Sequence, residues 1–309
     1  VNLNQEIELE TVLKPSIQRP TPFLKWAGGK SQLLPILERH LPSRFETYFE
    51  PFLGGGALFF HLVAKGRVTR AVISDFNKDL INCYVAIRDH LDMLLVQLKE
   101  LQTHTRDKKF YYEVARPRFN SLALPTGLEG DPEKAALLFF LNKTCYNGLY
   151  RVNQKGAFNV PWGRYKNPRI HDENNLKVIH KVLRQAGICI LCADYREATR
   201  TATKEDFIYF DPPYQPLSRT ANFTSYTPQS FGPTDQASLA QLFSELDRRE
   251  CHLMLSNSPR VARLYEASHK YHIERVKAAR PISCIGDKRG PVDELLVMNY
   301  YKRRSRGFA

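Results

Sequence analysis

No stretch of this sequence approaches the roughly 20 consecutive apolar residues that a membrane-spanning helix requires, and the chain reads as a soluble globular protein. Cysteine is sparse. Cys83, Cys145, Cys189, Cys192, Cys251 and Cys284 lie scattered without the spacing of a disulfide framework, so reduced thiols and a cytoplasmic location are expected. The lone Cys189-x-x-Cys192 sits in an apolar run with no second pair nearby, and it reads as buried core rather than a zinc site. Residues 1–18 carry Glu6, Glu8 and Glu10 and lack the basic-then-apolar order of a secretory leader, so they are expected to form a loosely ordered extension. Two nucleotide motifs are also missing: the third glycine of a G-x-G-x-x-G run would fall on Phe59, and the first glycine of a phosphate loop ending at Gly29-Lys-Ser31 would fall on Leu24. None of the 19 prolines precedes a cysteine, which leaves no Pro-Cys pair as a candidate nucleophile. Acidic residues are in deficit, 32 against 45 Lys and Arg, for a net charge of +13. A polyanionic partner, nucleic acid above all, suits that field.

What is present alternates strand and helix. The loop Thr21-Pro-Phe-Leu-Lys-Trp-Ala-Gly-Gly-Lys30 opens a helix whose Leu33, Leu34, Leu37 and Leu41 recur at helical spacing. A short strand at residues 47–50 runs into Pro51-Phe-Leu-Gly-Gly-Gly56 and an apolar helix, and a buried strand at residues 70–75 ends on Asp75. That order is the first βαβ unit of a nucleotide-type sheet. Residues 77–102 read as helix, after which the alternation stops across an insert rich in Arg, Lys, Tyr, Phe and Asn, from about residue 84 to 168. It resumes with strands at residues 188–192, 207–210, 252–256 and 294–300 and a helix at residues 235–248.

Asp211-Pro-Pro-Tyr214 closes an apolar strand at the end where open α/β sheets bind ligands. An exocyclic amine on a nucleobase is a weak nucleophile because its lone pair is delocalised into the ring. The Asp211 carboxylate and the Pro212 carbonyl offer a pair of acceptors for the two amine hydrogens, stiffened by the prolines, and Tyr214 offers a flat face for an extruded base. The plainer alternative is a proline turn. Phe52 and Gly54 open the first strand-to-helix turn, where a backbone without side chain lets a cofactor approach. Asp75 is placed for a ribose hydroxyl pair, or alternatively caps the next helix. Trp26 and Lys30 suit a cofactor with an aromatic base and a carboxylate.

Phe23-Leu-Lys-Trp-Ala-Gly-Gly-Lys30, Glu50-Pro-Phe-x-Gly54, Asp75, Tyr146-Asn-Gly-Leu149, Phe158-Asn-Val-Pro-x-Gly-Arg-Tyr165, Asp211-Pro-Pro-Tyr214, Ala221-Asn-Phe-Thr224 and Val292-Asp-Glu-Leu295 occur in that order. With them the sequence resembles the Dam-type DNA adenine methyltransferases, the D12 class of N6-adenine methyltransferases. The resemblance implies a Rossmann-like S-adenosylmethionine-dependent methyltransferase sheet over residues 19–84 and 168–309, with an inserted helical DNA-recognition domain over residues 85–167. It implies S-adenosylmethionine as cofactor, contacted by Trp26, Lys30, Asp75 and Asp211, with S-adenosylhomocysteine as product. It implies double-stranded DNA as substrate, with GATC as the site, and methylation of adenine N6 after base flipping. Tyr146 and Asn147 would then wedge beside the flipped adenine, Leu149 and Arg151 reach base edges, Lys25 and Pro161 read other positions, and Arg164 and Tyr165 hold phosphates. A monomer without metal is expected.

Two rivals stand beside this reading. Cytosine-N4 methylation also acts on an exocyclic amine, but that group tends to carry Ser where this chain has Asp211. A DNA-binding regulator that has lost catalysis is opposed by the intact Asp211 loop and glycine turn. The sequence departs from the family pattern at Lys143-Thr144-Cys145, where relatives often carry Arg and aromatics, and at Ile285-Gly-Asp-Lys-Arg-Gly290.

Overall fold

A computed structural model describes residues 18–26, 28–125, 127–214, 231–266, 269–278 and 292–301. Residues 1–17 of the expected extension, the Ala221-Asn-Phe-Thr224 block, Cys284 and the departure at residues 285–290 lie outside the described residues. A turn of 3₁₀ helix, Lys30–Gln32, leads into α1 (Leu34–His40), β1 (Tyr48–Glu50), α2 (Ala57–Ala64), β2 (Ala71–Ser74) and α3 (Lys78–Asp89). The insert then supplies α4 (Leu91–Thr103), α5 (Lys108–Phe110), a π turn (Tyr111–Ala115), α6 (Arg116–Ser121), α7 (Pro132–Thr144) and a 3₁₀ turn at Tyr146–Gly148. After it come α8 (Glu173–Leu183), β3 (Ile188–Leu191), α9 (Tyr195–Ala198), β4 (Phe207–Phe210), α10 (Pro233–Arg248), β5 (His252–Asn257), α11 (Arg263–Glu266), β6 (His272–Ala278) and β7 (Val292–Met298).

The seven strands form one sheet in the order β3-β2-β1-β4-β5-β7-β6. Strands β1 to β5 pair in parallel, while β7 runs antiparallel between β5 and β6. This mixed α/β sheet with flanking helices is the Rossmann-like fold expected from the resemblance. Both faces are covered, so the central strands are apolar on both sides. Phe49, Ile208, Phe210, Leu253 and Leu255 join α10 in one core, and Tyr48, Phe207, Tyr209 and Met254 join the core on the other face. The two sets alternate along each strand, as the pleat dictates.

The second core is continuous with the insert. Leu94, Leu98, Phe139, Phe140, Phe158 and Val160 belong to the same cluster as Tyr84 and Ile87 of α3. Helix α7 is capped by Asp131, which accepts from the Lys134 N–H, and Ala135 to Leu141 are all buried, as in a helix enclosed on every side. Lys134 reaches back to Asp79 at 3.5 Å, and the Tyr150 hydroxyl donates to the same carboxylate at 2.6 Å. Asp79 in the first turn of α3 thus ties the insert to the sheet.

Three expectations need correction. The helical pattern over residues 77–102 is two helices, broken at His90, whose backbone (φ −130°, ψ 33°) leaves the helical region while its ring bonds the Glu129 carbonyl at 2.8 Å. Cys189 is exposed and Cys192 half-buried rather than core, because β3 is the edge of the sheet. The last strand is shifted to Val292–Met298, leaving Asn299 and Tyr300 outside it. Strand β6 escaped the sequence reading because His272, Glu274, Arg275 and Lys277 obscure its apolar alternation, a usual composition for an edge strand.

The edge pairing rests on a close approach. Gly187 gives its carbonyl to the Ala71 N–H at 2.8 Å, and a methyl group on Gly187 would run into the Thr69 carbonyl oxygen. Gly187→Ala is expected to lower stability by roughly 1 to 3 kcal/mol, read as a fall in the urea midpoint at unchanged slope. An unchanged midpoint would contradict this packing.

Candidate active site

Strand β4 is buried along its whole length and delivers Asp211 at its carboxyl end. The Asp211 carboxylate is largely buried, 17% exposed, and its Oδ1 lies 2.8 Å from the Lys30 Nζ. The same ammonium donates to the Tyr214 hydroxyl at 2.7 Å and lies 3.7 Å from Oε2 of Glu294, on β7. Lys30 and Glu294 are both buried. Burial pushes the Asp211 carboxyl up to about 6, because desolvation and the nearby Glu294 charge outweigh the pull of Lys30. The loop is held from the other side as well. Gln236 of α10 donates to the Pro213 carbonyl at 3.1 Å and accepts from Asn257 of β5 at 2.9 Å. Pro212 is buried beside it.

The glycine turn lies at the ends of β1 and β2. Gly54 has a left-handed backbone (φ +50°), donates its N–H to Asp75 Oδ2 at 2.9 Å and accepts the Tyr84 hydroxyl at 3.0 Å. A side chain there would press on Trp26, which stacks on Tyr150 with centroids 5.5 Å apart. Asp75 Oδ1 takes the Asn77 N–H at 2.9 Å, and Asn77 itself caps α3. Asp75 therefore braces the turn, and its carboxyl is raised by burial despite those backbone bonds. The Phe76 N–H bonds the same carboxylate, which leaves one lone pair for a ligand. Phe52 departs from this group: it faces the other core, stacked on Tyr195 at 5.5 Å and edge-on to Phe231 at 5.7 Å.

The residues assigned to DNA gather around the turn at Tyr146–Gly148. Asn147 (φ +56°) and Gly148 (φ +64°) both occupy the left-handed region, which leaves Tyr146 at the tip, 47% exposed. Tyr146 donates its N–H to the Pro161 carbonyl at 2.8 Å, and Gly163 donates to the Thr144 carbonyl at 2.8 Å. Tyr146, Asn147, Trp162, Gly163, Arg164 and Tyr165 line an open cavity of about 500 Å³. Lys25 packs against Gly148 and sets its ammonium 4.3 Å from the centre of the Tyr165 ring. Arg151 is held by Asn159, with Nε donating to Oδ1 at 2.7 Å and one Nη to the carbonyl at 3.3 Å. Leu149 stands apart from the set: it is buried in the core, 9% exposed.

Four residues escaped the sequence reading. Asn142, fully buried on α7, accepts the Lys25 N–H at 2.9 Å and donates to the Lys25 and Gly148 carbonyls at 2.8 and 2.9 Å. It clamps the glycine loop to the exposed turn, and a lone Asn in an apolar helix is the signal that marks it. Phe76, 60% exposed directly after Asp75, is an aromatic out of the core at the ligand end of the sheet. Glu294 lies inside the quoted Val292-Asp-Glu-Leu295 block without having been singled out. Glu50, which ends β1, is buried, accepts the Tyr48 hydroxyl at 2.8 Å, and is pushed up to about 8 by desolvation.

Folded Glu50 therefore keeps its proton at neutral pH, whereas in the unfolded chain it ionises near the ordinary 4.5. The raised value means stability is fully present below about pH 4.5 and is lost as the pH rises through about 8. Glu50→Gln cannot ionise, so its melting temperature should gain on the wild type as pH rises from about 5 to about 9. A difference independent of pH would show that Glu50 is ionised in the folded protein.

Two sites thus meet along residues 25–30, one basic and aromatic, the other an acidic cup at the strand ends. Comparison with known proteins agrees with the quoted motifs. The sequence pattern described as "D12 class N6 adenine-specific DNA methyltransferase" matches residues 26–282. The Type II methyltransferase M.MjaIII of Methanocaldococcus jannaschii is 46% identical over 294 residues, covering 90% of this chain and 99% of the relative. The Type II methyltransferase M1.LlaDCHI of Lactococcus lactis is 40% identical, over 90% of this chain and 95% of its own. The DNA adenine methylase of Escherichia coli is 37% identical, over 89% of this chain and 94% of its own. A match of this extent, over a sheet whose strand ends carry the motif residues, shows that the chain belongs to the D12 class N6 adenine-specific DNA methyltransferases.

Proposed function

We propose that the protein methylates adenine N6 in double-stranded DNA at 5′-GATC-3′, acting as a monomer on a base turned out of the helix. The observation that carries this reading is the span of residues 25–30: Lys25 lies against Tyr165 and Gly148 of the exposed turn, and Lys30 lies against Asp211. One short segment links a surface suited to DNA with a cup suited to an amine. Residues 85–167 are the recognition unit in this reading, and residues 19–84 with 168–309 the catalytic one.

The chain's residues fit S-adenosylmethionine, whose part is an electrophilic methyl group carried on a sulfonium. The exposed Phe76 ring is a face for an adenine, and Asp75 has a lone pair for a ribose hydroxyl. Phe52 and Gly54 shape the turn, while Trp26 and Lys30 wall the amino-acid end. Asp211, Glu294 and Asp75 make the surroundings acidic, as a cationic sulfonium requires. Among the described residues no three His, Cys, Asp or Glu side chains gather as metal ligands.

In the proposed reaction Asp211 and the Pro212 carbonyl accept the two hydrogens of the exocyclic amine. They localise its lone pair toward the methyl group and stabilise the positive charge that develops on nitrogen. The proton leaves toward Asp211. Tyr214 stacks on the base, and Tyr146 and Asn147 fill the gap left in the duplex. Arg151 reads guanine, Lys25 and Pro161 contact neighbouring bases, and Arg164 and Tyr165 hold phosphates, while Leu149 packs beneath them in the core.

The test is to incubate plasmid with protein and S-adenosylmethionine, then digest it with nucleases that differ in sensitivity to methylated GATC. Protection at other sites alone would overturn the sequence assignment. Asp211→Ala should lower the rate by 10²-fold or more, roughly, while DNA binding persists. Arg151→Ala should lose discrimination of roughly 1 to 3 kcal/mol at one outer G·C pair, whereas Arg164→Ala should weaken all duplexes alike and flatten the salt dependence. Uniform loss with Arg151→Ala would make it a positioning residue.

A further inference from the structure

Lys30 stands between two carboxylates and is hydrogen-bonded to one of them. Its Nζ is 2.8 Å from Asp211 and 3.7 Å from Glu294. Among the described residues the Glu294 Oε2 is sealed from solvent and has no hydrogen bond; Tyr214, which bonds Lys30, also faces this carboxylate. Leaving a carboxylate oxygen in that condition is costly, so its retention points to a partner it acquires in another state of the site.

The proposed reaction supplies that state. With Lys30 seated on it, Asp211 has one oxygen occupied and its negative charge offset, which weakens it as an acceptor for the amine. A shift of the ammonium by about 1 Å toward Glu294 would turn the longer contact into a hydrogen-bonded pair. Lysine has the flexible stem to make such a move. Glu294 is the fixed party: β7 is paired on both sides, to β5 and to β6, with Glu294 in register with Val276.

We propose that Glu294 is a positioning residue that takes the Lys30 ammonium from Asp211 as the substrate amine arrives, leaving the Asp211 carboxylate open to accept its hydrogen. This rests on the reading of Asp211 as the acceptor. No covalent step is added; one hydrogen bond is exchanged for another. The other titratable groups facing the trio are Tyr214 from the loop, Tyr209 from β4, and Tyr48 and Glu50 from β1. The Glu294 charge also contributes to the raised Asp211 carboxyl.

The experiment is steady-state kinetics of the full chain across pH for wild type, Glu294→Gln and Glu294→Asp, each checked by thermal melting. For Glu294→Gln, kcat on the plateau should fall about tenfold or more, with both KM values within about twofold of wild type. Its acid limb should move to lower pH, because Asp211 loses a neighbouring negative charge and keeps Lys30. Glu294→Asp keeps the charge, so its limb should stay at the wild-type position and part of kcat should return. A Glu294→Gln limb that does not move, or an unaltered kcat, overturns the proposal. Should the Gln variant melt early, Glu294→Asp decides: a lowered kcat with the limb in place supports the proposal, and wild-type kcat overturns it. Asp211→Ala, which removes the acceptor altogether, is measured alongside. If that variant stays active, the acceptor reading itself fails; if it is inactive while Glu294→Gln matches wild type, only the role of Glu294 falls.

Discussion

A carboxylate withdrawn from water must find a cation, find hydrogen-bond donors or keep its proton, and the carboxyl ends of β1, β2 and β4 use all three solutions within one cup. Asp211 finds the Lys30 ammonium at 2.8 Å. Asp75 finds the backbone N–H groups of Gly54 and Asn77. Glu50 keeps its proton, with the Tyr48 hydroxyl as its donor. The consequence is geometric: Lys30 fixes the glycine loop over β4, and Asp75 fixes the turn that leaves β1. Loop positions that a sheet alone would not define are set by the need to satisfy buried charge.

The same logic couples the segment between α3 and β3 to the sheet. Asn142 uses its amide on main-chain groups of Lys25 and Gly148, and Asp79 receives both Lys134 and the Tyr150 hydroxyl. Both are polar residues inside apolar surroundings, where a half-satisfied group is expensive and a satisfied one specifies a single arrangement. Displacement of the Tyr146–Gly148 turn therefore pulls on the segment that ends at Lys30. The exposed turn and the segment that carries Lys30 are joined through the Asn142 amide.

Asp211 and Asp75 were legible because each closes an apolar strand. Phe207-Ile-Tyr-Phe before Asp211 and Ala71-Val-Ile-Ser before Asp75 announce buried parallel strands, and topology then brings their ends together. Glycines with no pattern of their own gained meaning from position, as at Gly54. The side to which a residue turns was not legible. Phe52 and Gly54 are two apart in sequence, yet Phe52 packs with Tyr195 and Phe231 while Gly54 lies under Trp26. Strand β6 was hidden by its charged edge, and the break at His90 by a helical pattern that runs on through it. Asn142 and Glu294 act through partners more than a hundred residues away, and no local pattern encodes such a contact.

The distribution of charge completes the picture. A net charge of +13 draws a polyanion to the chain, and Lys25 and Arg164 are exposed beside the Tyr146 turn. The cup at the strand ends is the opposite, with Asp211 and Glu294 on either side of Lys30 and Asp75 at the end of β2. Phosphates are repelled from such a place at short range, where screening by salt is weak. In the proposed function this favours a neutral base, rather than its phosphates, as the part of a duplex that passes from the basic face into the acidic cup. In the proposed reaction the extruded base then meets carboxyl groups suited to an amine that becomes positive as it reacts, so the charge that selects the base on entry also stabilises it during transfer.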